Sequence, residues 1–205
     1  MLRSSLKQCG ILAMAITAVS LSSSAFAEGT SGWGFSGTVD NISVDSKVAD
    51  SQYIGHSLTA VSFAGERYNS ENNRTFNVGL NILMYDDKAG FSQTTQSSWG
   101  GDVQESDSSA RGFLLFADYG PRFKFGQDQA NYVTARGGFS AMLSSDRSIG
   151  NCTDCDTQDI EVDGGLYGLV GVGHSFGSFT LGVQLTQYLS GDLGTGVGIK
   201  LASSY

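Results

Sequence analysis

From residue 28 onward, apolar and polar residues alternate with a period of two rather than the 3.6 of a helix, and no segment keeps a helical period over a useful length. The alternation falls into eight stretches, at 33–45, 52–64, 74–85, 111–125, 131–143, 165–176, 179–190 and 194–204. Each reaches or exceeds the 9–11 residues that a tilted strand needs to cross a bilayer. The third, seventh and eighth are the cleanest. Phe76, Val78, Leu80, Ile82 and Met84 oppose Thr75, Asn77, Gly79 and Asn81. Phe179, Leu181, Val183, Leu185 and Leu189 oppose Thr180, Gly182, Gln184 and Thr186. Val197, Ile199, Leu201 and Tyr205 oppose Gly196, Gly198, Lys200 and Ala202.

Alternation alone does not say which face is outside. A soluble ligand-binding barrel would turn the apolar face inward and carry abundant Lys and Glu on the other. Here the polar faces hold Gly, Ser, Thr, Asn and Gln with isolated charges, which suits the cramped lumen of eight strands, so the apolar faces are expected to meet lipid. The connectors agree. They fall at 46–51, 65–73, 86–110, 126–130, 144–164, 177–178 and 191–193. Both long ones lie on the same side, the asymmetry of outer-membrane barrels with long outer loops and short periplasmic turns. The 65–73 segment is the exception, longer than a short turn needs.

Residues 1–27 read as a cleaved signal peptide. Arg3 and Lys7 form a basic start, Ile11 to Leu21 is mostly apolar, and Ala25-Phe26-Ala27 is a small-x-small cleavage site. The domain is then 28–205, and losing two cations takes the formal charge from −8 to −10. That acidity leaves no basic footprint for nucleic acid. With 28 glycines, one proline and 11% aromatic residues, the composition also excludes collagen and a disordered tail.

The signal peptide, eight strands, two long outer loops and a last strand GTGVGIKLASSY together resemble the small outer-membrane β-barrel superfamily of Gram-negative bacteria, which includes the OmpA-type transmembrane domain, OmpX/Ail and opacity-like surface proteins. The resemblance implies an all-β, eight-stranded antiparallel up-and-down transmembrane β-barrel in the cell outer membrane. It also implies lipid, lipopolysaccharide and the barrel assembly machinery as partners. The family's C-terminal assembly signal is matched by Val197, Ile199, Leu201 and Tyr205, with Ser203 breaking the alternation.

Turn arithmetic about Asp128 faces Asp118 with Gly138 and makes Arg136 its diagonal neighbour. It also faces Arg122 with Thr134 and Lys124 with Tyr132. With Lys200, these charges are expected inside as a salt-bridged plug, the alternative being an ion path. His174 follows a family deacylase pattern only in part: His174-Ser175-Phe176-Gly177 lacks the His-x-Ser-Asn of those enzymes. The Gly177-Ser178 turn places His174 opposite Leu181 on the outer face, and His56 lies near the outer rim. No base, nucleophile and orienter can be assembled, so no catalytic residue, cofactor or metal is assigned.

Cys152 and Cys155 are the two cysteines left after the leader. In an exported chain they are expected to form a short disulfide in loop 144–164, in preference to a redox or metal site. Asp159, Glu161, Asp163 and Gly164 match the opening of a calcium loop, but the glutamate that motif needs falls at Val170. A weak divalent site from Asp156, Asp159, Glu161 and Asp163 and a solvated acidic rim both remain open. Phe91 and Trp99 are candidate contacts in loop 86–110, and Trp33, Tyr53, Tyr68, Tyr85 and Tyr205 are expected as interface anchors. The functional expectation is a non-enzymatic outer-membrane protein that presents the acidic loops 86–110 and 144–164 to a protein or glycan partner, for adhesion or envelope integrity. A lipid-modifying enzyme and a narrow pore are the alternatives.

Overall fold

The computed structural model describes residues 32–96, 103–149 and 155–203. Among them eleven strands form in chain order: β1 Gly32–Val44, β2 Ile54–Asn69, β3 Arg74–Asp87, β4 Ser92–Gln96, β5 Val103–Asp107, β6 Ser109–Phe125, β7 Asn131–Ser148, β8 Thr157–Asp159, β9 Leu166–Phe176, β10 Phe179–Tyr188 and β11 Leu193–Ser203. Eight of them close a barrel. β1 pairs β2, β2 pairs β3, β3 pairs β6, β6 pairs β7, and the circuit continues through β9, β10 and β11 back to β1, antiparallel throughout. Closure leaves no unpaired edge in the wall, as backbone surrounded by lipid requires.

The faces fall as the alternation demands. Phe35, Phe123, Val183, Val197 and Ile199 are each more than half exposed on the outside, while Ser36, Thr38, Asn77, Asn81, Thr134 and Ser140 are buried inside. A greasy exterior around a polar interior is the inverse of a water-soluble barrel and leaves no place for the soluble-barrel alternative. The register expected across the turns at Asp128 and Gly177-Ser178 holds: Asp118 faces Gly138, Arg122 faces Thr134, Lys124 faces Tyr132, and His174 faces Leu181.

Several boundaries move. The 65–73 segment is not a long turn, because β2 runs on to Asn69 and the turn is only 70–73. The first connector is not plain loop. Asp45 caps a helix at Ser46–Ser51, accepting from the Lys47 and Val48 amides at 2.9 and 3.3 Å, and six residues are too few to show a period. Loop 86–110 contains the β4–β5 hairpin, and β7 continues into 144–164, where β8 pairs with its end. At 17 and 18 residues, β6 and β7 outrun the 11 residues of β9, giving roughly 20 Å of extra strand on the long-loop side.

Glycines inside the wall make room for rings. A Cβ on Gly173 or Gly182 would collide with Tyr132, whose phenol crosses the lumen over both. Two expected interface anchors prove to be interior residues. Tyr68 and Tyr85 are 3% and 8% exposed and face the lumen, since their strands place positions 68 and 85 in phase with Glu66 and Leu83. Trp33 and Tyr53 are exposed as expected, and Tyr205 lies outside the described residues.

Candidate functional site

The lumen is divided by chemistry along its axis. Towards the short turns it is ionic. Glu66 of β2, wholly buried, is the hub: Arg122 Nη2 lies 2.7 Å from one carboxylate oxygen, Arg136 Nη1 3.7 Å from the other, and Lys200 Nζ contacts that second oxygen. Arg136 also reaches Asp118 at 3.1 Å, the diagonal pair expected from the register. Asn77 Nδ2 and the Tyr167 hydroxyl donate to the two oxygens of Asp118, each at 3.0 Å. Gln184 Nε2 donates to Asp40 at 3.1 Å. Arg122 stacks over Tyr132 at 4.5 Å. Three carboxylates thus meet three cations in a cluster with no net formal charge, the condition under which buried ions are tolerated.

Of the expected interior charges, Asp118, Arg122, Arg136 and Lys200 join this cluster. Lys124 faces inward nearer the short turns, over the Tyr68 ring at 5.1 Å. Glu66 and Asp40 are not among the residues expected from the sequence, Glu66 because it stands in the supposed turn. The cluster encloses a cavity of about 40 Å³, lined among others by Asp40, Asn77, Asn81, Asp118, Arg136 and Lys200. Asn77 and Asn81 each keep a side-chain oxygen with no protein hydrogen bond, in a space large enough for about three waters.

Towards the long loops the lumen is apolar. Ile54, Leu58, Leu83 and Leu114 are almost completely buried there, and they cluster with Ala49 of the short helix and with Ile160 and Val162 of the third outer loop. The same packing accounts for the alternating acids. Ile160 and Val162 turn in while Asp159, Glu161 and Asp163 turn out, so a strand-like period explains the spacing that suggested a calcium loop. Among the described residues no three His, Cys, Asp or Glu side chains converge on a metal position.

Arg147, 4% exposed, braces this end. Its Nε donates to Asp87 at 2.6 Å, Nη1 to Gln158 at 3.0 Å, and Nη2 to the Gln52 and Tyr53 carbonyls at 3.1 and 3.4 Å. One guanidinium therefore joins the first connector, the end of β3, β7 and β8. The Glu161 amide donates to Gln52, and the Asp163 amide to Asp192 at 2.7 Å, tying in the last connector. The β4–β5 hairpin is linked through the Asp156 amide, which donates to Gln93 Oε1 at 3.3 Å. Phe91 is half-buried at the hairpin base rather than at a tip: the Ser108 amide donates to its carbonyl, and its own amide to the Ser108 hydroxyl. Trp99, Cys152 and the disulfide expected between Cys152 and Cys155 lie outside the described residues.

The two histidines sit at opposite ends. His174 Nδ1 is 2.8 Å from Asn131 Oδ1, with its ring against Phe176, half-buried on the lipid side. The neighbouring Ser175 hydroxyl pairs with Thr180. His56 is on the outer rim, 2.9 Å from Asp50, and the hydrogen bond from His56 holds the Asp50 carboxyl below the usual carboxylate range.

No protein-family model matches the chain, and no curated protein matches it. Solved structures with a similar chain path include two of Ail, the attachment invasion locus protein of Yersinia pestis. One, in complex with the heparin analogue sucrose octasulfate, is 10% identical over 86% of this chain and 98% of that chain, with a TM-score of 0.47. The other is 9% identical with the same coverage and a TM-score of 0.46.

Proposed function

We propose that this chain is a non-enzymatic outer-membrane protein, a sealed barrel that holds an acidic outer-loop platform for contact with a partner at the cell surface. The observation that carries the reading is the Arg147 brace above a lumen that is ion-paired in one half and filled by apolar side chains in the other. Such a lumen is a plug, which speaks against a narrow pore. Four separate outer segments bound to one another form a platform, and a platform held in one arrangement loses less entropy when it binds.

The chemistry of the platform supports a basic protein surface as the partner class. Among the described residues, twelve carboxylates stand at the long-loop end against Lys47, Lys88, Arg111 and Arg147. A polyanion such as a sulfated glycan would be repelled by this surface. Among the described residues His56 pairs with Asp50 and His174 with Asn131, and neither is hydrogen-bonded to a serine, which supports the non-enzymatic reading over the lipid-modifying alternative.

Membrane fractionation with heat-modifiable gel migration tests the membrane reading, and an ordinary periplasmic species would end it. Removing 92–107 or 150–158 is expected to leave the heat-modifiable barrel intact and abolish adhesion to host cells or matrix. Undiminished adhesion in both deletions would overturn the surface role.

A further inference from the structure

The outer wall at the short-turn end carries a second grouping of charge that the plug and the platform do not use. Arg67 of β2 and Arg74 of β3 both point outward and are exposed. Arg67 stands opposite Phe76 and Arg74 opposite Asn69, so the two arginines are diagonal neighbours, about 7–8 Å apart at the backbone. From that backbone separation two long arginine side chains can be turned onto one phosphate, each offering paired N–H donors, although Arg74 here leans towards Tyr119 of β6. Neither forms an ion pair among the described residues, although Glu71 lies in the turn between them.

Aromatic rings frame the pair. Trp33, paired with Arg67 across β1–β2, packs edge-on to Phe76 at 6.5 Å and lies against the bare backbone of Gly65. Arg74 sits over the Tyr119 ring at 5.7 Å, and its amide donates to Asn72 at 3.1 Å, which fixes the strand start. Flat rings beside arginines mark the depth of lipid headgroups. General interfacial anchoring would spread cations around the circumference. Elsewhere the short-turn end of the outer wall carries Phe123, Phe125, Val133, Phe176 and Phe179 instead. Both cations belong to one β-ribbon.

We propose that Arg67 and Arg74 form a docking site for the phosphate of one anionic glycerophospholipid, in the leaflet on the short-turn side of the membrane. The site rests on the membrane reading above. A basic, ring-framed position at this end is complementary to a phosphodiester with net negative charge. The acidic long-loop end is not.

Trp33 reports on the site. In full-length mature protein refolded into vesicles, with Trp99→Phe leaving Trp33 as the sole tryptophan, brominated phosphatidylglycerol is titrated against brominated phosphatidylcholine. The expected result is a preference for the anionic lipid of about fivefold per arginine, reduced stepwise by Arg67→Gln and Arg74→Gln while gel migration still reports a folded barrel. Unbrominated phosphatidylglycerol is expected to reverse the quenching and lipid A to do so poorly. Equal quenching by the two brominated lipids overturns the proposal and leaves the barrel reading standing. Competition by lipid A as strong as by phosphatidylglycerol overturns the assignment to a glycerophospholipid. Quenching by neither lipid overturns the membrane reading and the site together.

Discussion

Replacing Glu66 by glutamine removes the one carboxylate that three cations share. Arg122 and Lys200 then lose it outright, while Arg136 keeps Asp118 at 3.1 Å. Charges at such separations attract by about 4 kcal/mol each at an effective dielectric near 20. Most of that gain offsets the desolvation of the ions in the native barrel, so the worth of the whole cluster is small. The cost of deleting one partner is not small, because the desolvation remains and the attraction is gone. About 3–5 kcal/mol is the expected loss, a large part of the ~5–15 kcal/mol that holds a typical domain. Urea titration in lipid vesicles, with folded and unfolded species separated by unheated gel migration, measures it. Glu66→Gln combined with Lys200→Met restores a balanced lumen and is expected to recover a substantial part of the loss. A single-variant loss under about 1 kcal/mol, or a double variant that costs the sum of the two singles, would refute the account of a shared, charge-balanced hub.

Further outcomes follow from the outer end. Arg147→Ala is expected to leave the barrel folded and heat-modifiable but to raise proteolysis and hydrogen exchange at 46–53 and 155–163 by about tenfold or more, since the bonds lost tie the outer ends of β3 and β7 to the first connector and β8 and leave the wall's backbone pairing in place. Alkylation of the denatured mature protein is expected to modify no cysteine before reduction and two after it. One adduct without reductant would exclude the Cys152–Cys155 bridge. Asp50 is expected to titrate below a model aspartate by carboxyl NMR in micelles, and His56→Gln to move it back up. The sign is that of a depressed acid: its contribution is fully present above the unfolded pKa of about 3.9 and is lost as pH falls through the lower folded value. An unmoved Asp50 titration in the variant would remove His56 as the cause.

The wall of this barrel is written in its sequence because one physical rule governs every position of it. Period two with lipid on one side places Val183 out and Thr180 in without any knowledge of neighbours, and a short turn then sets register well enough to bring Arg136 beside Asp118. Where that rule gives way to local chemistry, legibility fails. Glu66 is hidden because Gly65-Glu66-Arg67-Tyr68-Asn69 has the polarity of a turn, although Tyr68 and Glu66 share a face and Arg74 opens the next strand. Asp40 carries a usable signal, lying in phase with Ser36 and Thr38. Tyr68 and Tyr85 look like interface rings because strand ends favour them, but phase rather than position along the strand decides which way a ring points. The capped helix Ser46–Ser51 is too short to show a period, and the reach of Arg147 depends on hydrogen bonds across 60 to 95 residues, which no local pattern encodes.

The ionic hub has a meaning for the order of assembly. Its charged members come from β1, β2, β6, β7 and β11, and Lys200 meets Glu66 across 134 residues of chain. The bond from the Phe35 amide to Ser203 spans 168. A chain lacking its last strand therefore holds a carboxylate missing its lysine and two open strand edges at once, and both make the half-built state costly and prone to wrong pairing. The arrival of β11 ends both conditions in a single step. The charge balance of the hub is thus a chemical check on completion: only a closed barrel brings its last cation home.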